Sequence, residues 1–340
     1  MFPIMQNRAA DEPLRVLLTG AGSIGKRHAQ NLRELVPGVE LAMVCGSEAS
    51  SGWARENDVK VVASVEAALA WQPRVAVVCS VSSRHAHDLA ILLPATDAIY
   101  IEKPVVTTRD ALRLLRNTIA EGWAKPSVAG CNLRYLGAIQ KLKQAIDNGV
   151  AGNISIATLQ VGQWLPDWRP GRDYRESYSA HREQGGGVIF DLVHEIDSAA
   201  NLFGDIARGQ AAAGRTGGLQ IESDDAAAIT LQMKSGLPVQ VTLDYTSRKA
   251  VREYRVIGDK GTLTLDIVNR KFSFETTSGK NDLPTEPSDW DMAATYKIAM
   301  QELLDALRTG SATRYSLAQS LHVTQWMIDL EASAWRKKPA

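Results

Sequence analysis

Four stretches of the 340-residue chain combine residue types and spacing that could do chemistry. The first, Gly20-Ala21-Gly22-Ser23-Ile24-Gly25, is a Gly-x-Gly-x-x-Gly run. In a dinucleotide site Gly20 makes the tight turn, Gly22 admits a pyrophosphate against main-chain N–H groups, and Gly25 brings a helix close to a strand. Ser23 and Ile24 then add amides at a helix N-terminus that favours an anion. A glycine-rich structural turn is the competing reading. The second stretch, Ile99-Tyr100-Ile101-Glu102-Lys103-Pro104, puts Lys103 just past a short apolar run. There a lysine could hydrogen-bond a sugar hydroxyl and stabilise a developing alkoxide, or be an ordinary solvated loop lysine. The third runs from Gly185-Gly186-Gly187 into residues 188–203, where Asp191 and His194 stand three apart. Helical spacing lets them touch, and a carboxylate beside an imidazole raises its basicity and fixes its tautomer for proton transfer. A solvated helix face is the alternative. A metal site from Asp191, His194 and Glu195 is a third reading, against which stands the missing His-Glu-x-x-His spacing. The fourth, residues 164–184, mixes Trp164, Arg169, Arg172 and Tyr174 with further aromatics and arginines. It suits a polar ligand with flat faces and a carboxylate or phosphate, or a loop that packs on a partner. Arg134 is grouped with it on the substrate side.

These residues need elements to hold them. From Leu14, short apolar runs (15–19, 40–45, 75–79) alternate with helical stretches (24–35, 65–70, 85–93). Strand candidates apolar on consecutive residues, such as Val75-Ala76-Val77-Val78, predict a parallel sheet covered on both faces, hence an α/β fold with an N-terminal Rossmann doubly wound sheet over 14–125. Gly20 then follows the first strand and opens the first helix, the context a dinucleotide site needs. An NAD site usually places an acid about 20 residues past the last glycine, whereas the second strand ends Val44-Cys45-Gly46-Ser47-Glu48. Ser47 has room to donate to a 2′-phosphate, which favours NADP over NAD. Ser80, His85 and Glu102, at the ends of later strands, are grouped with the coenzyme. For His85 and His87 a structural or ribose-facing role is expected over catalysis, and His28 and His322 read as ordinary helix residues.

After about Pro126 the apolar residues alternate, as in Ala228–Met233 and Val239, Val241, Leu243. Period two predicts a C-terminal α/β domain over 126–335 with a large open, mainly antiparallel sheet. Gly258-Asp259-Lys260-Gly261 signals a hairpin, and two helices follow, over 296–307 and 317–330, the first closed by Gly310. Residues 1–13 lack periodicity and are expected to form a flexible leader.

Lys plus Arg number 38 and Asp plus Glu 38, so net charge is zero. No global field then favours nucleic acid or an anionic membrane surface. With no apolar run of about 18 residues and no apolar signal core, a cytoplasmic protein is expected. Cys45, Cys79 and Cys131 lie far apart in apolar stretches and are expected to be buried thiols, not a disulfide framework or structural zinc site. No metal is expected.

The Gly20 run, Glu102-Lys103-Pro104 and the glycine-rich entry to Asp191-Leu192-Val193-His194-Glu195-Ile196-Asp197 occur in an order and spacing that resemble the glucose–fructose oxidoreductase and inositol dehydrogenase (Gfo/Idh/MocA) family, over about residues 14–330. The resemblance implies NAD(P)-dependent hydride transfer to or from a secondary alcohol of a sugar, nucleotide sugar or cyclitol. It also implies a homodimer or homotetramer formed through the C-terminal sheet. It would make Lys103 and His194 catalytic and Asp191 their supporting acid. Many members place the aspartate four residues before the histidine; here Phe190 fills that slot and Asp191 lies three before. Alternatives are an NAD-dependent glycosidase using transient oxidation and a non-enzymatic NADP-sensing or scaffold protein.

Overall fold

A computed structural model describes residues 12–336, so most of the expected leader lies outside the described residues. The chain divides into two compact units. The first holds the chain through Cys131 together with Tyr296–Leu321; the second holds Asn132–Thr295 and the residues from His322 onward. Periodicity alone gives no sign that a late segment returns to the first unit.

The first unit is built on strands β1 (Arg15–Leu18), β2 (Glu40–Val44), β3 (Lys60–Val62), β4 (Val75–Val78), β5 (Ala98–Ile101) and β6 (Ser127–Ala129). All pair in parallel, in the order β3-β2-β1-β4-β5-β6. This is the doubly wound order, with its switch point between β1 and β4. Helices α1 (Ser23–Leu35), α2 (Glu48–Glu56), α3 (Val65–Ala68), α4 (His85–Ala95) and α5 (Arg109–Ala120) connect the strands. Val16–Leu18, Val75–Val78 and Ala98–Ile101 are all fully buried. Burying consecutive residues needs cover on both faces, and each large aliphatic side chain so buried contributes roughly 1.5–3 kcal/mol. In α1 the buried stripe Gly25, His28, Ala29, Leu32 has helical spacing and faces inward.

The second unit contains α6 (Gly137–Asp147), β7 (Ile154–Gly162), α7 (Val188–Asp191), α8 (His194–Phe203) and strands β8 (Ile206–Gly214), β9 (Ala226–Met233), β10 (Pro238–Asp244), β11 (Val251–Gly258), β12 (Gly261–Asp266), β13 (Lys271–Thr276) and β14 (Gly279–Asp282). The sheet runs β14-β13-β12-β11-β7-β10-β9-β8 and is antiparallel except where β10 pairs with β7. Ala227, Ile229, Leu231 and Met233 point inward while Ala228, Thr230 and Gln232 are exposed, the alternation expected of a sheet with one covered face. Gly258 and Gly261 pair across Asp259 and Lys260 in the expected hairpin. Helices α9 (Met292–Thr309) and α10 (Leu317–Ser333) follow, with Gly310 at positive φ ending the former. Among the described residues no helix is long and apolar enough to cross a membrane.

Candidate active site

In the first unit the glycine run leaves β1 and enters α1 at the switch point. A Cβ on Gly20 would lie 2.3 Å from the Cys79 carbonyl oxygen, and one on Gly25 only 1.9 Å from the Gly20 oxygen. Both glycines are therefore demanded by the protein's own backbone. Gly22 differs: a Cβ there meets nothing within 4 Å, and Gly22 and Ser23 are exposed. Gly22 begins α1 with no side-chain cap and no acidic residue in the first turn. The helix thus opens on solvent with uncapped N–H groups beside a glycine whose missing side chain no protein atom requires. That is the cradle a pyrophosphate fits. Ala21 and Ile24 are half-buried beside it.

The neighbouring strands bring further residues to the same carboxyl edge. Ser80 leaves β4 and its hydroxyl donates to Asp88, 2.7 Å away. Lys103, half-buried, stands two residues past β5 and is joined to Pro104 by a cis peptide. His85 is 1 % exposed, with Nδ1 2.8 Å from the Pro104 oxygen and Nε2 3.1 Å from the Ser80 oxygen. Burial holds its pKa below the usual histidine value, against the opposing pull of those two carbonyls and of Asp88 and Glu102. The ring therefore braces the exit of β4 against the Lys103-Pro104 turn. Glu102 is also turned inward, accepting from the Lys103 amide and lying 2.8 Å from Nε2 of His28. His28, expected to be an ordinary helix residue, is fully buried and packs on Tyr100 with ring centroids 4.7 Å apart. Its spacing three residues after Gly25 was the available signal. Cys79 and Cys131 are buried thiols, as expected, and Cys45 is half-buried; desolvation pushes the Cys79 thiol up to about 12.

At the end of β2, Ser47 caps α2 by accepting from the Ser50 amide at 3.2 Å. Glu48 is exposed and paired with Arg55 at 2.7 Å. Arg55 and Lys26 both lie close enough to act electrostatically on Cys45.

In the second unit the expected continuous helix over 188–203 is broken. Leu192 and Val193 interrupt it, leaving Asp191 as the last residue of α7 and His194 as the first of α8. The alternative of a solvated helix face does not hold: Asp191, His194, Glu195 and Ser198 are all buried, as is Asp197. Asp191 accepts from the hydroxyls of Tyr178 at 2.5 Å, Ser179 at 2.6 Å and Tyr245 at 3.1 Å. Burial first, then the Asp191 charge, raises the Tyr245 pKa well above the usual tyrosine value, so it remains an O–H donor. Glu195 is held by Arg252 at 2.7 Å and by Tyr254 at 3.0 Å. Among the described residues no group of three His, Cys, Asp or Glu is arranged to hold a metal ion.

The glycine triplet makes this packing possible. A Cβ on Gly186 would come within 2.3–2.8 Å of the carbonyl oxygens of Tyr178, Ser179 and His181. Of the residues grouped with the substrate, Arg134 is clamped by both oxygens of Asp197 at 2.8 Å and by Asn201. Trp164 lies under the guanidinium of Arg248, 3.5 Å from its ring centroid. Arg169 lies over Tyr178 at 5.5 Å. Arg172 is exposed, and the Tyr174 hydroxyl accepts from the Gln220 amide. Arg248 went unnoticed because it sits 84 residues from Trp164 in sequence (248 minus 164) and only the adjacency of β7 and β10 brings them together. Lys103 belongs to the first unit and His194 to the second.

Two family models match the chain: "Oxidoreductase family, NAD-binding Rossmann fold" over residues 14–122 and "GFO/IDH/MocA C-terminal domain" over 139–264. Inositol 2-dehydrogenase of Rhizobium meliloti is 26% identical over 282 residues, 78% of this chain and 79% of that protein. Among solved structures, myo-inositol 2-dehydrogenase from Lactobacillus plantarum shares the fold with a TM-score of 0.78 at 17% identity, covering 95% of this chain and 97% of that one. Levoglucosan dehydrogenase in complex with NADH does so with a TM-score of 0.80 at 17% identity, covering 95% and 97%.

Proposed function

Because the chain belongs to the GFO/IDH/MocA family of oxidoreductases, with the family's NAD-binding Rossmann domain over 14–122, we propose that it is an NAD(P)-dependent dehydrogenase acting on a secondary alcohol of a sugar, nucleotide sugar or cyclitol. The observation that carries this reading is the shared carboxyl edge of one parallel sheet, where the open glycine cradle after β1 and Lys103 after β5 are set by strands β1, β4 and β5 in adjacent order. The coenzyme, held by the amides of residues 20–25, supplies hydride acceptance or donation when bound. Lys103 hydrogen-bonds the reacting oxygen and stabilises its charge, and His194 exchanges the hydroxyl proton. Asp191, fixed by three hydroxyls, holds the entry to α8 and so orients His194. Ser47, Lys26 and Arg55 around the end of β2, with Glu48 drawn to Arg55, support NADP over NAD. The same reading makes the enzyme a cytoplasmic homodimer or homotetramer.

The test is Lys103→Met. It should leave coenzyme affinity nearly intact, measured by fluorescence titration, and lower turnover by about 10²-fold or more. Unchanged turnover would remove Lys103 from the mechanism. The wild-type assay should accumulate reduced coenzyme, with NADP+ giving the higher kcat/KM; no net accumulation during substrate cleavage would instead fit transient oxidation by a glycosidase.

A further inference from the structure

Most buried or half-buried arginines of the second unit already have carboxylate partners within it. Arg134 is bound to Asp197, Arg252 to Glu195, and Arg336 to Asp224 and Glu331. Arg169, half-buried, and Arg248, exposed, are different. Neither forms an ion pair with a carboxylate among the described residues, and each lies on an aromatic ring, Tyr178 and Trp164 respectively.

Both arginines connect to the Asp191 cluster through the rings beneath them and the residues beside those rings. Tyr178, beneath Arg169, donates to Asp191; Trp168, next to Arg169, packs edge-on against Tyr245 with centroids 5.3 Å apart, and Tyr245 donates to the same carboxylate. Leu165, next to Trp164, donates its amide to the backbone carbonyl of Tyr245 at 3.0 Å. Arg248 is reached through a turn in which Asp244 Oδ1 accepts from the amides of Thr246 at 2.8 Å and Ser247 at 2.6 Å. That carboxylate sits where Gly162 has no Cβ, since one would lie 2.3 Å from it. Asp244 is thereby committed to its own turn.

A guanidinium held over an aromatic ring, 3.5 Å from the centroid for Arg248 and 5.5 Å for Arg169, keeps N–H donors available to a ligand. That arrangement grips a carboxylate or phosphoryl group in two-point fashion, with little side-chain freedom left to lose. These are two cations without counter-charges, resting on rings tied to the residues that hold Asp191 at the approach to α8. We infer that Arg169 and Arg248 form an oxyanion subsite, so that the substrate is an acidic sugar carrying a carboxylate or phosphoryl group as well as the reacting alcohol. The inference rests on the dehydrogenase reading and narrows its substrate class.

The test uses the full chain with saturating coenzyme and three matched probes: glucose, glucuronate and glucose 1-phosphate. Binding is read as the rise in melting temperature with ligand concentration, which requires no turnover. Glucuronate or glucose 1-phosphate should bind more tightly than glucose by about tenfold or more, the scale of one charge-assisted hydrogen bond. The acid that binds distinguishes a uronate from a sugar phosphate or nucleotide sugar. Arg248→Met and Arg169→Met keep much of the apolar stem on the ring and should each abolish the preference. Arg248→Lys should restore it only in part, and Arg208→Ala, an exposed arginine on β8, should not alter it. Equal binding of the three sugars, no response to either acid, or a preference indifferent to both Met variants would overturn the inference. Acid-selective binding without hydride transfer would count against the dehydrogenase reading and leave the subsite standing.

Discussion

His85 faces two carbonyl oxygens with a ring that, when neutral, has one proton to give. Burial disfavours the charged form and keeps the pKa low, although both carbonyls, Asp88 and Glu102 pull the other way. A histidine with a depressed folded pKa binds fewer protons folded than unfolded, so its contribution is complete above the unfolded value of about 6.5 and is lost as pH falls below it. Urea denaturation between about pH 5 and pH 8 should therefore show stability falling toward acid. His85→Asn, which keeps one amide donor for the Pro104 or Ser80 oxygen, should flatten that part of the profile. A wild-type slope retained in the variant would mean that another group sets it. Neither the burial of His85 nor its two acceptors was visible from sequence, because Ser80 and Pro104 flank it from different strand ends.

At the scale of elements, α1 and its entry offer two glycines with opposite tasks. Gly25 is closed in by the Gly20 oxygen, whereas Gly22 faces open space at an ordinary negative φ of −69°. Gly25→Ala should force α1 away from the turn and destabilise the protein without ligand by about 1–3 kcal/mol, the usual cost of overpacking. Gly22→Ala should leave the unliganded melting temperature unchanged while removing most coenzyme-induced stabilisation. Equal effects of the two on the unliganded protein would deny Gly22 its role as a cradle. This division explains what the sequence could reveal. The strand–glycine–helix context identified β1, α1 and the nest because all three are local in the chain. The consecutive apolar run of β4 and the alternation of β9 and β10 were likewise local. In contrast, β8 reads Ile-Ala-Arg-Gly-Gln-Ala-Ala-Ala-Gly, poor in strand-forming side chains, and is extended because β9 pairs along it. The break at Leu192-Val193 was also hidden by the helical spacing of residues 188–203. There, hydroxyls arriving from residues 178, 179 and 245 hold Asp191 in place, and that order is tertiary.

Across the whole molecule, charge is balanced but unevenly used. Charged residues make up 22% of the chain, yet the outward row Ala228, Thr242, Gln160 on β9, β10 and β7 is uncharged, as is the adjacent row Thr230, Gln240, Thr158. In those two rows charge enters at β11, with Glu253 and Arg255. Seven steps between eight strands, at about 4.8 Å each, give a face roughly 34 Å wide; with strands of about 20 Å this approaches the area per partner of a standard protein interface. An uncharged patch across β7, β10 and β9 within that face suits the proposed self-association through the sheet. Introducing like charges at its centre should then disfavour a symmetric contact, because each substitution is duplicated across the two-fold axis and desolvated with it. Thr158→Glu combined with Thr242→Glu should convert the oligomer to a smaller species in light scattering at micromolar concentration. Far-UV circular dichroism should be unchanged, since both side chains are directed away from the core. The wild-type melting temperature should also rise with protein concentration, and that dependence should vanish in the variant. A variant that keeps the wild-type mass would place the subunit contact elsewhere.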